Sequence, residues 1–175
     1  MKNIEFNLQP DLLEDDITKL IPLKETDFEA LFAIASDPLM WELHPIKDRY
    51  KKEVFQPFFD AAVSSQSSFA IIDATTKQII GTTRFYDYKP ENSSIAIGYT
   101  FLDRKYWGGP HNKSNKKLLI DYAFQHVDSI YFHVGAENLR SQKAVLKLGA
   151  TKVNEVNFPP TSDGILHFEY ELVKR

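Results

Sequence analysis

The residues Arg104-Lys105-Tyr106-Trp107-Gly108-Gly109-Pro110-His111-Asn112 stand between a β-rich run and the start of a helical pattern. A glycine turn lets the backbone approach a ligand, amides at a helix start lack intrahelical partners, and flanking cations favour an anion. Together these features make a cradle for phosphate. No acid lies between Asp103 and Asp121, whereas Arg104, Lys105, Lys113, Lys116 and Lys117 give five positive charges, with His111 among them. The N-terminal third is acidic. Residues 1–60 hold 7 basic and 13 acidic side chains, which leaves 14 and 11 for residues 61–175 out of totals of 21 and 24. A local cationic cluster in a chain of net charge -3 suits a small polyanion and argues against a general nucleic-acid binder.

Asn138 and Ser141 lie three residues apart where another helical pattern begins, so they share its opening turn. Trp41-Glu42-Leu43-His44-Pro45 and Arg49-Tyr50 follow the first helical run, and Arg84 and Tyr86 lie on a β-rich run. Aromatic, acidic and imidazole groups of this kind suit an amine ligand, with an ordinary aromatic core as the alternative. His133 alternates with Phe132 and Val134, so it points away from their face. The five histidines show no paired metal-ligand spacing and the chain has no cysteine. Zinc clusters, redox dithiols and thiol nucleophiles are thereby excluded, and no metal is expected.

The elements that must position these residues follow from periodicity. Residues 4–8 and 17–23 are extended and suggest a hairpin. Thr26-Asp27-Phe28-Glu29 matches a capping box, and the helix after it carries Phe28, Leu31, Phe32 and Ala35 on one face and stops at Asp37-Pro38. A second stripe, Val54, Phe55, Phe58, Phe59 and Ala62, contains Pro57 and predicts a kink or a late helix start. Residues 69–73, 78–86 and 94–102 read as an antiparallel meander. A helix over 113–127 then leads to a short strand at 130–134, parallel to the third meander strand by the right-handed crossover rule. A helix over 139–148 begins at Asn138 and ends at Gly149. Strands near 151–157 and 165–173 flank Phe158-Pro159-Pro160-Thr161-Ser162-Asp163-Gly164. The fold class is α+β, a mixed sheet of about 6–7 strands with helices on both faces.

A chain of 175 residues can bury a core of its own, and neither repeats nor linker-like tracts divide it, so one domain over residues 1–175 is expected. No window holds 18 consecutive apolar residues and Met1-Lys2-Asn3-Ile4-Glu5 lacks a secretory core, which predicts a soluble cytoplasmic protein with no membrane partner, a monomer or homodimer.

The motifs resemble the GNAT superfamily of acetyl-CoA-dependent N-acetyltransferases, and within it the RimJ/RimL type that acts on ribosomal proteins and small amines. The resemblance spans Ser36-Asp37-Pro38, Ile97-Gly98-Tyr99, Tyr106-Trp107-Gly108-Gly109 and Asp121-Tyr122-Ala123-Phe124. It is strongest at Asn138-Leu139-Arg140-Ser141-Gln142-Lys143-Ala144 with Leu148-Gly149-Ala150. It implies a GNAT fold in which the central and following strands splay apart and hold the pantetheine arm of acetyl-CoA. The pyrophosphate then falls on the loop from Lys105 to Lys113. Cofactor contacts are thus expected from Phe101, Leu102, Lys105, Trp107, Gly108, Gly109, His111, Asn112, Lys113, Asn138 and Ser141. Acetyl transfer needs a neutral amine, donors for the developing oxyanion and a proton source for the departing thiolate, and Asn138 and Ser141 fit the last two roles. Trp41, Glu42, His44, Arg84, Tyr86 and His133 are the candidates for binding the acceptor amine. Arg140, Lys143 and Lys147 read as a solvated stripe.

Two departures from the family pattern matter. Pro110 occupies the last small-residue place of the pyrophosphate loop and cannot donate an amide hydrogen bond, although Asn112 matches a Trp-Gly-Gly-x-x-Asn variant of the family. Ala96 stands where such enzymes often carry a glutamate base, which leaves His44, His133 or water. Without an evident base, a peptide or protein α-amine is favoured over lysine. The alternative reading is a degenerate module of the same fold that binds CoA or a protein without catalysis. A dinucleotide-binding fold is disfavoured, because the glycine loop follows an antiparallel meander and no full Gly-x-Gly-x-x-Gly occurs.

Overall fold

Alternation of apolar and small side chains along residues 68–102 builds the centre of the molecule. In β3 (Ser68–Asp73) and β4 (Ile79–Lys89), Phe69, Ile71 and Phe85 face one side and Ala70 the other. The computed structural model describes residues 5–158 and 164–175. Among them β1 (Leu13–Glu14), β2 (Thr18–Pro22), β3, β4, β5 (Ser94–Leu102), β6 (Ser129–Gly135), β7 (Thr151–Phe158) and β8 (Ile165–Val173) form one sheet in the order β1-β2-β3-β4-β5-β6-β8-β7. All neighbours are antiparallel except β5 and β6. The sheet therefore has eight strands, slightly more than the pattern suggested.

Helices α1 (Phe28–Ala35) and α2 (Lys52–Ser64) cover one face, where Leu31, Phe55, Phe59, Ala70 and Phe101 interlock. Helices α3 (His111–Ala123) and α4 (Leu139–Lys147) contribute Leu119 and Val145 to the opposite core of Phe69, Phe85, Ile95, Ile97 and Ile130. A buried phenylalanine or leucine contributes roughly 1.5–3 kcal/mol, so these layers fix the sheet on which the site is built.

Several local expectations are corrected. The N-terminal hairpin pairs Leu13–Glu14 with β2, because Asp15 accepts the amides of Ile17 and Thr18 and closes the turn there. Residues 5–8 form no strand, and residue 4 lies outside the described residues. The capping box expected at Thr26 is not formed: Asp27 accepts the amide of Lys24 at 2.9 Å and closes a short 3-10 turn over Glu25–Asp27, which leads into α1 without a side-chain cap of its own. Helix α2 starts before Pro57 and runs through it, the proline lying on its exposed side. Helix α3 ends at Ala123 and the chain turns before β6. Most of the β7–β8 connection, residues 159–163, lies outside the described residues.

Strands β5 and β6 pair only from Ser94 with Ser129 to Ala96 with Tyr131. Strand β6 continues beside β8 as far as Gly135 opposite His167. Meanwhile β5 is bulged opposite Thr83, where Tyr99 adopts φ 52°, and such a bulge bends a strand away from its neighbour. The edge of β5 beyond Ala96 is left without a strand partner among the described residues. That opening positions the site.

Candidate active site

The loop between β5 and α3 is held from several sides. Trp107 donates from Nε1 to the carbonyl of Leu102 at 3.0 Å, and Gly108 takes φ 74°, a left-handed conformation that favours glycine. His111 Nε2 lies 3.2 Å from Asp73 Oδ1, and the same carboxylate accepts from Thr76 at 2.9 Å. Burial would raise the Asp73 pKa, but these hydrogen bonds hold it at about 2. The first amide of α3 with a backbone acceptor is that of Ser114, on Pro110. The amides of His111, Asn112 and Lys113 thus stay available, and Lys105 and Lys113 are exposed beside them. Pro110 precedes this turn, at a position whose missing amide costs the helix nothing.

At the other side of the opening, Asn138 caps α4 by accepting the amide of Ser141 at 3.3 Å. The Ser141 hydroxyl is half-buried and has no hydrogen-bond partner among the described residues. Arg140, Lys143 and Lys147 are exposed, as a solvated stripe requires, and Arg140 also makes a contact across the opening. Its guanidinium lies 4.0 Å from the centre of the Trp107 ring, so the start of α4 touches the loop before α3. The sequence carried no signal for this contact, which joins residues 33 positions apart and depends on the crossover.

Phe101 and Leu102 turn their side chains into the two cores; only their backbone reaches the open edge. Trp41 is likewise core, donating from Nε1 to the carbonyl of Ala35 at 2.8 Å. Glu42 is exposed. His44 is held neutral, its pKa lowered to about 3 by burial and by the neighbouring Arg49, and its Nδ1 accepts the amide of Ile46.

Tyr86 and His133 are brought together. The Tyr86 hydroxyl lies 2.6 Å from His133 Nδ1, and His133 Nε2 lies 2.7 Å from Glu169 Oε2. A carboxylate can only accept, so Nε2 carries a proton, and a neutral imidazole then accepts the Tyr86 proton at Nδ1. Burial raises the Tyr86 pKa well above the ordinary phenol range, so the hydroxyl stays protonated. Phe158 stacks on the imidazole with a centroid separation of 5.1 Å. The Tyr86 ring crosses β5 over Gly98, two residues past the last pair with β6. Glu169 was not among the sequence candidates, because its role depends on β8 pairing with β6 rather than on any motif.

This set of free amides, exposed cations and an open strand edge fits an acyl-CoA. The family model described as "Acetyltransferase (GNAT) domain" matches residues 18–151. The chain belongs to the GNAT acetyltransferase family. A GNAT domain uses acetyl-CoA as acyl donor, and the protein is an N-acetyltransferase. No curated protein sequence matches the chain. Among solved structures it is similar to a GCN5-related N-acetyltransferase from Brucella melitensis, with 18% identity, TM-score 0.80, and coverage of 97% of this chain and 83% of that one. It is also similar to the microcin C7 self-immunity acetyltransferase MccE in complex with acetyl-CoA and AMP (15%, TM-score 0.76, 96% and 99% covered). A third is Mycobacterium smegmatis RimJ in complex with CoA-disulfide (15%, TM-score 0.66, 93% and 85% covered). At these identities the likeness concerns the fold. Among the described residues no helix is long and apolar enough to cross a membrane.

Proposed function

We propose that this GNAT domain acetylates a primary amine, a peptide or protein α-amine in the manner of the RimJ/RimL type, through a ternary complex. The observation that carries the reading is the chain of hydrogen bonds from Tyr86 through His133 to Glu169 beside the open edge of β5. Acetyl-CoA supplies the activated acetyl group. Amides 111–113 with Lys105 and Lys113 bind the phosphates, and the backbone of β5 past Ala96 aligns the extended arm. The acceptor nitrogen loses its proton to the Tyr86 oxygen while the Tyr86 proton passes to His133 Nδ1. The resulting imidazolium is stabilised against the Glu169 carboxylate. Ser141 supplies the proton that the departing sulfur takes, and the serine regains a proton from solvent as His133 releases its extra one. This relay fills the role that Ala96 vacates, and it disfavours the reading as a degenerate module.

A relay that keeps its tyrosine protonated is a mild base, which suits an amine of low pKa. Deprotonating a lysine side chain near 10.4 costs roughly 4.6 kcal/mol at pH 7, against about 1–1.4 kcal/mol for an α-amine near 7.7–8.0. The test is thiol release with one peptide in two forms, the α-amine or the lysine blocked, at several pH values. Faster reaction of the α-amine near pH 7 is expected. Faster reaction of the lysine amine overturns the preference.

A further inference from the structure

Among the described residues, two arginines on the Tyr86 side of the sheet have no carboxylate partner. Arg49, 8% exposed, and Arg84, half-buried on β4, take part in no ion pair among the described residues. The Nε of each is buried without a hydrogen-bond partner. The nearest polar neighbour of Arg49 is His44, at a marginal 3.5 Å. A desolvated cationic donor left unpaired is costly. The cost is not removed by aromatic contact. Arg84 lies 3.7 Å from the centre of the Tyr99 ring and Arg49 4.4 Å from that of Phe58, and Phe58 itself packs against Tyr99 at 6.3 Å. Stacking engages the flat faces of a guanidinium and leaves its in-plane N–H groups for a planar oxyanion.

Both groups lie at the reaction end of the opening. Arg84 is the register partner of Gly98, the residue over which Tyr86 crosses toward His133. Tyr99, between the two arginines, is also in contact with Tyr86 at 5.0 Å. The surroundings favour a single negative charge over a doubly charged phosphate, because Asp48 adjoins Arg49 in the chain and Glu169 stands behind His133.

Resting on the N-acetyltransferase reading, we infer that Arg49 and Arg84 form a carboxylate-binding subsite, and that the acceptor is an amine bearing a carboxylate a few bonds from the nitrogen. That carboxylate comes from a free amino acid or from an acidic residue at a peptide N-terminus. The subsite completes the hydrogen bonding of the two guanidiniums and turns the amine toward Tyr86 and the open edge of β5. It also replaces the expectation that acidic groups such as Glu42 would define the acceptor pocket.

The experiment measures CoA release by the full chain with free α-amino acids against their carboxamides, and with peptides beginning in Asp or Glu against the same peptides beginning in Asn or Gln. Amines without any oxyanion serve as controls. The acid of a matched pair should have a kcat/KM at least about tenfold higher, the usual worth of a charge-assisted contact. Arg84→Met should erase that preference by raising the KM for the acid, while calorimetry shows acetyl-CoA binding retained. Preference among the amino acids identifies a small-molecule source, and preference among the peptides a side-chain source. Equal or faster reaction of the neutral partners in the wild-type protein overturns the subsite and leaves the acetyltransferase reading standing. Reaction of the control amines alone does the same. Failure of every amine, with acetyl-CoA bound, overturns the parent reading and the subsite with it.

Discussion

A Cβ added at Gly98 would come within 2.9 Å of Tyr86 Cε1 and 3.3 Å of its hydroxyl, so the glycine is what lets the tyrosine cross β5 to reach His133. An aromatic ring held between Tyr99 and Phe158 has little room to give. Gly98→Ala should therefore cost about 1–3 kcal/mol of stability through overpacking. It should also lower kcat by about tenfold or more, with KM for acetyl-CoA nearly unchanged, which steady-state kinetics would show. Tyr86→Phe keeps the ring and removes only the proton path. Its kcat should fall by about 10²-fold, within the usual range for a lost acid or base, while the melting temperature moves little. A Tyr86→Phe enzyme with wild-type turnover, when chemistry limits the rate, would remove the relay from the mechanism. Ser141→Ala should lower kcat by about tenfold or more and leave acetyl-CoA affinity within about twofold, because thiolate protonation matters mainly in the transition state.

Helix α3 carries a second polar device on the side of the sheet away from the acceptor. Lys116 is buried and donates from Nζ to Thr100 Oγ1 at 2.7 Å, which in turn lies 2.8 Å from Thr83 Oγ1. The lysine thereby pins the β5 bulge from below. No acid pairs with it among the described residues, and burial lowers its pKa to about 7. The unfolded chain, with lysine near 10.4, binds more protons than the fold between these two values, so this residue makes stability rise with pH across that window. Below about pH 7 both states hold the proton and the full cost of burial remains. Lys116→Met should then be more stable than wild type by thermal unfolding at pH 7, an advantage that shrinks by roughly 1 kcal/mol per pH unit as pH rises toward 10. Turnover should fall as the bulge loosens; loss of stability at pH 7 would instead make the lysine a structural contact. The sequence made the helix legible through Leu118, Leu119 and Ala123, but Lys116 looked like one more member of a basic cluster. Periodicity reports which residues repeat on a face and not which polar group that face traps. The strands from β3 onward and the Asn138 cap were legible because alternation and caps are local, whereas Glu169 and the Arg140–Trp107 contact were not, since they join separate elements.

Across the whole molecule the charge is polarised, with an acidic N-terminal third and a cationic rim where α3 begins, and the sheet opening lies between that rim and α4. On the proposed function, this arrangement draws a polyanionic cosubstrate to one end of the cleft and leaves the other, with Tyr86 and the two arginines, to the acceptor. Exposed charges act over a Debye length of about 10 Å at 0.1 M salt, so acetyl-CoA affinity should fall as ionic strength rises. The fall should depend on where the cations sit and not on how many there are. Lys105 has a side chain 65% exposed and only a 3.6 Å contact with Asp103, and Lys113 is exposed beside the free amides of α3. Lys147 and Lys152 are also exposed but lie at and beyond the far end of α4, where Lys152, its side chain 40% exposed, is already paired with Glu155 at 2.6 Å. Charge reversal of Lys105 and Lys113 together should weaken CoA binding by about tenfold or more at low salt and flatten its salt dependence. Reversal of Lys147 and Lys152 changes net charge by the same amount and should leave the constant within about twofold. Calorimetry on both double variants at two ionic strengths decides the matter. Equal losses in the two would mean that CoA responds to net charge alone and that the loop before α3 is not its phosphate site.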